Sequence, residues 1–255
     1  MFSLNGKKGL IVGVANDQSI AYGCAKAVVS CGAEVAITYL NAKAEPHVRP
    51  LAEGLKSPIV LPLDVEKPGE LEAVYDTITQ QWGKLDFIIH SIAFAPLQDL
   101  HGRVVDSSAE GFARAMNISC HSFIRMAKLA EPLMKNGGSM ITMSYYGADE
   151  VIQNYGIMGP VKAALQSASR YLASELGPKG IRVHAISPGP LLTRAASGIA
   201  EFDHLMEEAK LRAPLHKLVS IDDVGGLAAY LVSDISKSIT GGTIFVDGGF
   251  NITGD

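Results

Sequence analysis

The chain has 255 residues, 47% hydrophobic and 19% charged, enough to bury the core of one large α/β domain and too apolar to stay disordered. A net charge of −4 without a Lys/Arg-rich block gives nucleic acid no electrostatic hold, and no apolar run reaches the ~18 residues of a membrane span. Three cysteines, Cys24, Cys31 and Cys120, show no metal-type spacing, so the expectation is buried, reduced thiols in a cytoplasmic protein that binds no metal.

Apolar β-branched runs alternate with segments of helical length along the chain. The first run, Gly9–Val14, follows two lysines, but Gly9, Gly13 and the lack of a small-residue cleavage site favour a strand over a signal peptide. Further strands are predicted at Glu34–Tyr39, Pro58–Leu63, Leu85–Ser91, Gly138–Ser144, Ile181–Ser187 and Gly242–Val246. Helices are predicted at Ile20–Ser30, Gly69–Gln81 and Tyr155–Leu176. The runs LIVGV, FIIHS and MITMS lack in/out alternation, as strands covered by helices on both faces do. The pattern implies right-handed βαβ units, hence a Rossmann-type, doubly wound α/β fold on a parallel sheet. No linker or repeat divides residues 1–255, so one domain is expected, with the strand-poor stretch Gly189–Thr240 as a substrate cover.

The first strand runs into GVANDQSIAYG and an Ala-rich helix. There Gly13 would take the turn, Ser19 would cap the helix, and Gly23 would pack closely on the sheet. Backbone N–H groups and the helix dipole could then face a pyrophosphate, although the usual GxGxxG is absent. Strand two ends Thr38-Tyr39-Leu40-Asn41, with neither an acid for ribose hydroxyls nor an arginine for a 2′-phosphate. Lys43 is the cation nearby, which puts NADH ahead of NADPH while leaving NADPH possible. Asp64, after strand three, would lie beside an adenine ring or cap the next helix.

At the other end of the crevice, strand five leads to Tyr145, and Tyr155 would open a helix that carries Lys162 seven residues on. Positions i and i+7 share a helix face, so phenol and ammonium could both reach a cofactor across the strand ends. His90 and His184 sit inside apolar runs and read as core or hydrogen-bonded histidines rather than acid/base groups. Asp222 and Asp223 follow Ser220 at a helix start and read as dipole-complementing acids.

Tyr145, Tyr155 and Lys162, with LDV at 63–65, HSIAFAP at 90–96, ISPGPLLTRAASGI at 186–199 and VDGGF at 246–250, resemble the bacterial enoyl-acyl-carrier-protein reductases. That family is the divergent branch of the short-chain dehydrogenases, and the likeness runs the length of the chain. It implies a seven-stranded parallel sheet, a homotetramer, and NAD(P)H-dependent reduction of a trans-2-enoyl thioester in fatty-acid synthesis. By the resemblance Tyr155 bonds the thioester carbonyl oxygen, Lys162 holds the nicotinamide ribose, and Tyr145 lines the substrate pocket. Cofactor contacts are implied for Gly13, Ser19, Ile20, Leu40, Asp64, Val65, Ser91, Ile92 and Ala93, with Lys162, Leu191, Leu192 and Thr193. The acyl chain would meet Phe94, Ala95, Tyr145, Met158, Ala195, Ile199 and Phe202. Asn117 matches an asparagine that many short-chain dehydrogenases use to hold a water.

Two departures stand out. Pro160 follows Tyr155 closely, tolerable in a first turn but a kink if the helix begins earlier. The segment after AASGI carries Glu201, Asp203, Glu207 and Glu208 where the family has basic groups for its acidic carrier protein, with Lys210, Arg212, His216 and Lys217 following. Enoyl-acyl carrier protein and enoyl-CoA therefore both remain as partners. A helical lid is expected at about 191–212, after Pro188-Gly189-Pro190 and with few bulky anchors before Phe202. The rival readings are a short-chain reductase of 3-oxoacyl thioesters or other carbonyls, and a non-catalytic dinucleotide sensor.

Overall fold

Strand residues here feed two cores in turn, which is why their sequences show no polar alternation. The computed structural model describes residues 2–193 and 202–253, apart from the side chains of Phe202 and Asp203. In chain order the elements are β1 (Lys8–Val12), α1 (Ile20–Ser30), β2 (Glu34–Tyr39), α2 (Glu45–Gly54), β3 (Ile59–Pro62), α3 (Glu70–Trp82), β4 (Phe87–His90) and α4 (Leu97–Leu100). They continue as α5 (Ala109–Met116), α6 (Ser122–Ala130), β5 (Gly138–Met143), α7 (Met158–Leu176), β6 (Ile181–Pro188), α8 (Phe202–Arg212), α9 (Ile221–Val232) and β7 (Thr243–Val246). Leu10, Val12, Ile88 and Met140 pack on one face with α3, α6 and α7. Their neighbours Ile11, Phe87, Ile89 and Ile141 pack on the other with α1, α2 and α9.

The strands form one parallel seven-stranded sheet in the order β3-β2-β1-β4-β5-β6-β7. This is the predicted doubly wound architecture. The direction in which strands are added to the sheet reverses between β1 and β4, so the loops after them part and leave a crevice beyond the carboxyl ends.

Two local expectations fail. Gly23 packs against α9 rather than the sheet, because a Cβ there would collide with the Ile221 carbonyl oxygen. Gly225 answers it across the same crossing, where a Cβ would stand 2.5 Å from the Gly23 carbonyl oxygen. So α9, in the stretch expected to cover substrate, closes the core beside α1 instead. Gly23→Val should cost about 1–3 kcal/mol through overpacking against backbone, read as a lower midpoint in thermal or urea unfolding. Second, Tyr155 is not helical. Asn154 and Gly156 have φ of 60° and 50°, and that left-handed turn delays α7 to Met158. Tyr155 therefore reaches the cavity from a turn and Lys162 from α7, and the two do not share a helix face. Pro160 falls in the first turn of α7, where its missing N–H leaves the helix unbroken.

Candidate active site

Beyond the carboxyl ends of β1, β4, β5 and β6 lies a cavity of about 1050 Å³. Its floor begins at Gly13, whose φ of +105° excludes most side chains and whose missing Cβ clears the Ser91 carbonyl oxygen. Ser19 stands at the N-cap of α1, yet its hydroxyl does not cap the helix. It turns back and accepts from the N–H groups of Ala15 and Asn16 at 2.9 and 3.0 Å, tightening the loop. The first amides of α1 stay outside the helix ladder, and Ile20 at that end lines the cavity.

Lys162 is 4% exposed, and its Nζ donates to the Met143 carbonyl oxygen at 2.6 Å. One turn on, Gln166 donates to Ser144 Oγ at 3.0 Å and Asp149 Oδ2 at 3.1 Å, so one face of α7 is tied to the end of β5. Burial pushes the Lys162 ammonium down to about 8. Tyr155 is also buried, and burial, then the neighbouring Tyr145, push its phenol well above the ordinary tyrosine range. The two rings meet edge-on with centroids 4.8 Å apart. The buried Tyr145 hydroxyl has no hydrogen-bond partner among the described residues.

The cavity gathers Gly13, Ser19, Ile20, Ser91, Ile92, Ala93, Lys162, Leu191 and Thr193 from the positions expected to meet a cofactor. From those expected to meet substrate it gathers Phe94, Ala95, Tyr145, Tyr155 and Met158. Leu40, Asp64 and Val65 lie outside it, after β2 and β3 where the sheet continues past β1, and Leu192 turns to solvent. Asp64 does not cap α3; its Oδ1 accepts from Glu66 N–H at 3.0 Å in a local turn. Ala195 and Ile199 lie outside the described residues, as does the side chain of Phe202. The expected lid falls partly on that same stretch; what is described is Leu191–Thr193, where the Thr193 N–H donates to the Leu191 carbonyl oxygen at 2.8 Å, and the helix α8. On α8 Glu207 is exposed, while Glu208 pairs with Arg212 at 2.6 Å.

The sequence did not single out Gln98, Ser108, Glu110 or Arg114, which also line the cavity. They belong to the β4–β5 connection, which leaves the sheet beside the reversal point and so must cross the crevice. That placement was the signal available. The core assignments hold for both histidines. His90 is fully buried, with Nδ1 2.8 Å from Thr142 Oγ1 and Nε2 2.8 Å from Ser122 Oγ; burial pushes it down to about 3. His184 is also buried and is pushed down to about 4 by burial and Arg182. Asp223 closes a reciprocal cap with Ser220, and Asp222 pairs with Lys26 at 2.7 Å. Asn117 opens a π-helical turn, Asn117–His121, outside the cavity lining.

A close-approach glycine, a helix N-terminus, a buried lysine and an unpartnered tyrosine hydroxyl along one crevice suit a dinucleotide with a small carbonyl compound beside it. Known proteins similar to this chain agree. A family model described as enoyl-(acyl carrier protein) reductase matches residues 13–251. Enoyl-[acyl-carrier-protein] reductase [NADH] 2 of Rhizobium meliloti is 46% identical over 250 residues, covering 98% of this chain and 93% of its own. An enoyl-(acyl-carrier-protein) reductase from Anaplasma phagocytophilum, solved in complex with NAD, superposes with a TM-score of 0.96 at 46% identity, covering 100% of this chain and 98% of its own. The Bacillus cereus enoyl-acyl carrier protein reductase, solved with NADP+ and an indole naphthyridinone, gives 0.97 at 41% identity over 100% of both chains.

Proposed function

The chain belongs to the enoyl-(acyl carrier protein) reductase family, and from that premise we propose that it reduces the double bond of trans-2-enoyl thioesters with NADH in fatty-acid synthesis. The observation that carries this reading is that the buried Tyr155 and the buried Lys162 line one cavity beyond the carboxyl end of β5. When bound, a reduced nicotinamide supplies hydride to the β-carbon of the enoyl chain. Tyr155, neutral because it is buried, donates a hydrogen bond to the thioester carbonyl oxygen as negative charge gathers there. The α-carbon then takes a proton. Lys162 gives one N–H to Met143 and keeps the others for the nicotinamide ribose hydroxyls, while its charge favours the developing enolate. Tyr145 packs its ring against Tyr155 and sets its tilt. Phe94, Ala95 and Met158 offer the acyl chain an apolar wall. Leu40, Asp64 and Val65 would meet the adenosine half of the cofactor, and the whole chain is read as one dinucleotide-binding unit.

NADH is the expected cofactor because the end of β2 offers a 2′-phosphate little. Leu40 is 54% exposed and apolar. Asn41 Oδ1 already accepts from the N–H groups of Lys43 and Ala44 at 3.0 and 3.1 Å. In steady-state assays on an enoyl thioester, kcat/KM should be higher with NADH than with NADPH, and the reverse order would refute this assignment.

The acyl carrier is either the carrier protein or CoA. The exposed Glu207 gives an acidic carrier no attraction at this edge, so a modest advantage of carrier-linked over CoA-linked substrate is inferred. A homotetramer in the cytoplasm completes the reading. Leu215 and Ile252, both exposed beside a shallow groove near β7, supply apolar surface for assembly. Among the described residues no helix is long and apolar enough to cross a membrane. The proposal is tested by following NADH oxidation with a panel of enoyl thioesters.

A further inference from the structure

Arg114 on α5 lines the cavity apart from the Tyr155–Lys162 pair, and its two contacts run in different directions. Its Nε and Nη2 donate to Oε1 and Oε2 of Glu66 at 2.9 and 2.8 Å, a two-pronged fork. Its guanidinium lies 4.7 Å from the centroid of the Phe94 ring. Glu66 belongs to the loop after β3, which is itself fixed: Glu70 accepts from Asp64 N–H at 2.6 Å, and Arg125 donates to the Val65 carbonyl oxygen at 2.6 Å. At the other end, Ser119 Oγ accepts from the N–H of Phe94 at 2.9 Å and donates to its carbonyl oxygen at 3.0 Å. The backbone of Phe94 is thus clamped; the residue is 39% exposed, and its ring is the part left to swing.

We propose that Arg114 is a positioning residue for the acyl substrate, holding the Phe94 ring at one setting and tying that setting to the loop after β3. The length of acyl chain the cavity accepts then depends on the fork. This rests on the enoyl-thioester reading above. The fork is half in solvent, with side chains 48% and 32% exposed, so it contributes little to stability and its effect is one of position. A lysine cannot replace it, since an ammonium neither forks nor stacks flat on a ring.

The test compares wild type with Arg114→Met, Arg114→Lys and Glu66→Gln on short, medium and long trans-2-enoyl thioesters at saturating NADH. Arg114→Met should raise KM about fivefold, roughly the size of one ring–cation contact. The rise should differ among chain lengths, exceed any fall in kcat and leave the melting midpoint in place. Arg114→Lys should rescue little of it, and Glu66→Gln should reproduce part. In a Phe94→Leu background, Arg114→Met should add nothing. An unchanged KM profile, an effect equal in both backgrounds, or a uniform loss that tracks a lower melting midpoint would each overturn the proposal. Wild type that fails to reduce enoyl thioesters at all would instead overturn the functional reading on which it rests.

Discussion

Replacing Tyr155 by Phe is expected to lower kcat on an enoyl thioester by on the order of 10²-fold, the usual effect of losing one preorganised donor to a developing oxyanion. The substitution removes one oxygen and keeps the ring, so the edge-on contact with Tyr145 survives and the fold should too. Binding of NADH should stay near wild type, since the phenol is assigned to the substrate carbonyl and Lys162 to the ribose. Because burial keeps the phenol protonated far above neutrality, no loss of activity should arise from its ionisation across the working pH range. Single-turnover rates together with NADH titration separate these effects. Wild-type turnover by the Tyr155→Phe variant would remove Tyr155 from the chemistry.

Lys162→Met should act differently, weakening NADH roughly tenfold or more as charged hydrogen bonds are lost and lowering turnover as well. It should not destabilise the fold greatly, because a buried charge is exchanged for an apolar chain of similar length. The pH dependence carries a sign. Burial lowers Lys162 from 10.5 to about 8, so the ammonium that meets the ribose is lost above about pH 8. The kcat/KM for NADH should therefore fall on the alkaline side, and Lys162→Met should abolish that limb. For stability the direction is opposite. Between about 8 and 10.5 the unfolded chain holds the proton that the folded chain has released, so rising pH relieves the cost of burying this charge. A pH–rate profile for both proteins, with thermal melts across the same range, reads out both signs.

Much of the fold was legible in the sequence because strands buried on both faces leave unbroken apolar runs, and β2 and α1 were placed to the residue. Tyr145, Tyr155 and Lys162 were legible as types at a spacing, but the route that joins Tyr155 to Lys162 was not. The signal was present in Asn154 and Gly156, whose left-handed backbone holds back the start of α7. Ser19 was expected to cap α1, yet the amides of Ala15 and Asn16 compete for the same oxygen, and no helical pattern distinguishes the two. Gly23 was given the wrong partner because a close approach can be inferred from one residue while its other side, Gly225, is distant in the chain. Arg114 stayed hidden for the same reason. Its fork to Glu66 and its stack on Phe94 join three segments that only the folded crossing brings together.

The most direct measurement follows the hydride. The protein is given deuteride-labelled NADH with an equimolar pair of crotonyl and acetoacetyl thioesters, and the products are separated and located by mass and NMR. The account predicts that crotonyl thioester is consumed to the saturated butyryl thioester with the label at the β-carbon, while acetoacetyl thioester persists. Conversion of acetoacetyl to a labelled 3-hydroxybutyryl thioester, with the crotonyl thioester untouched, would contradict it.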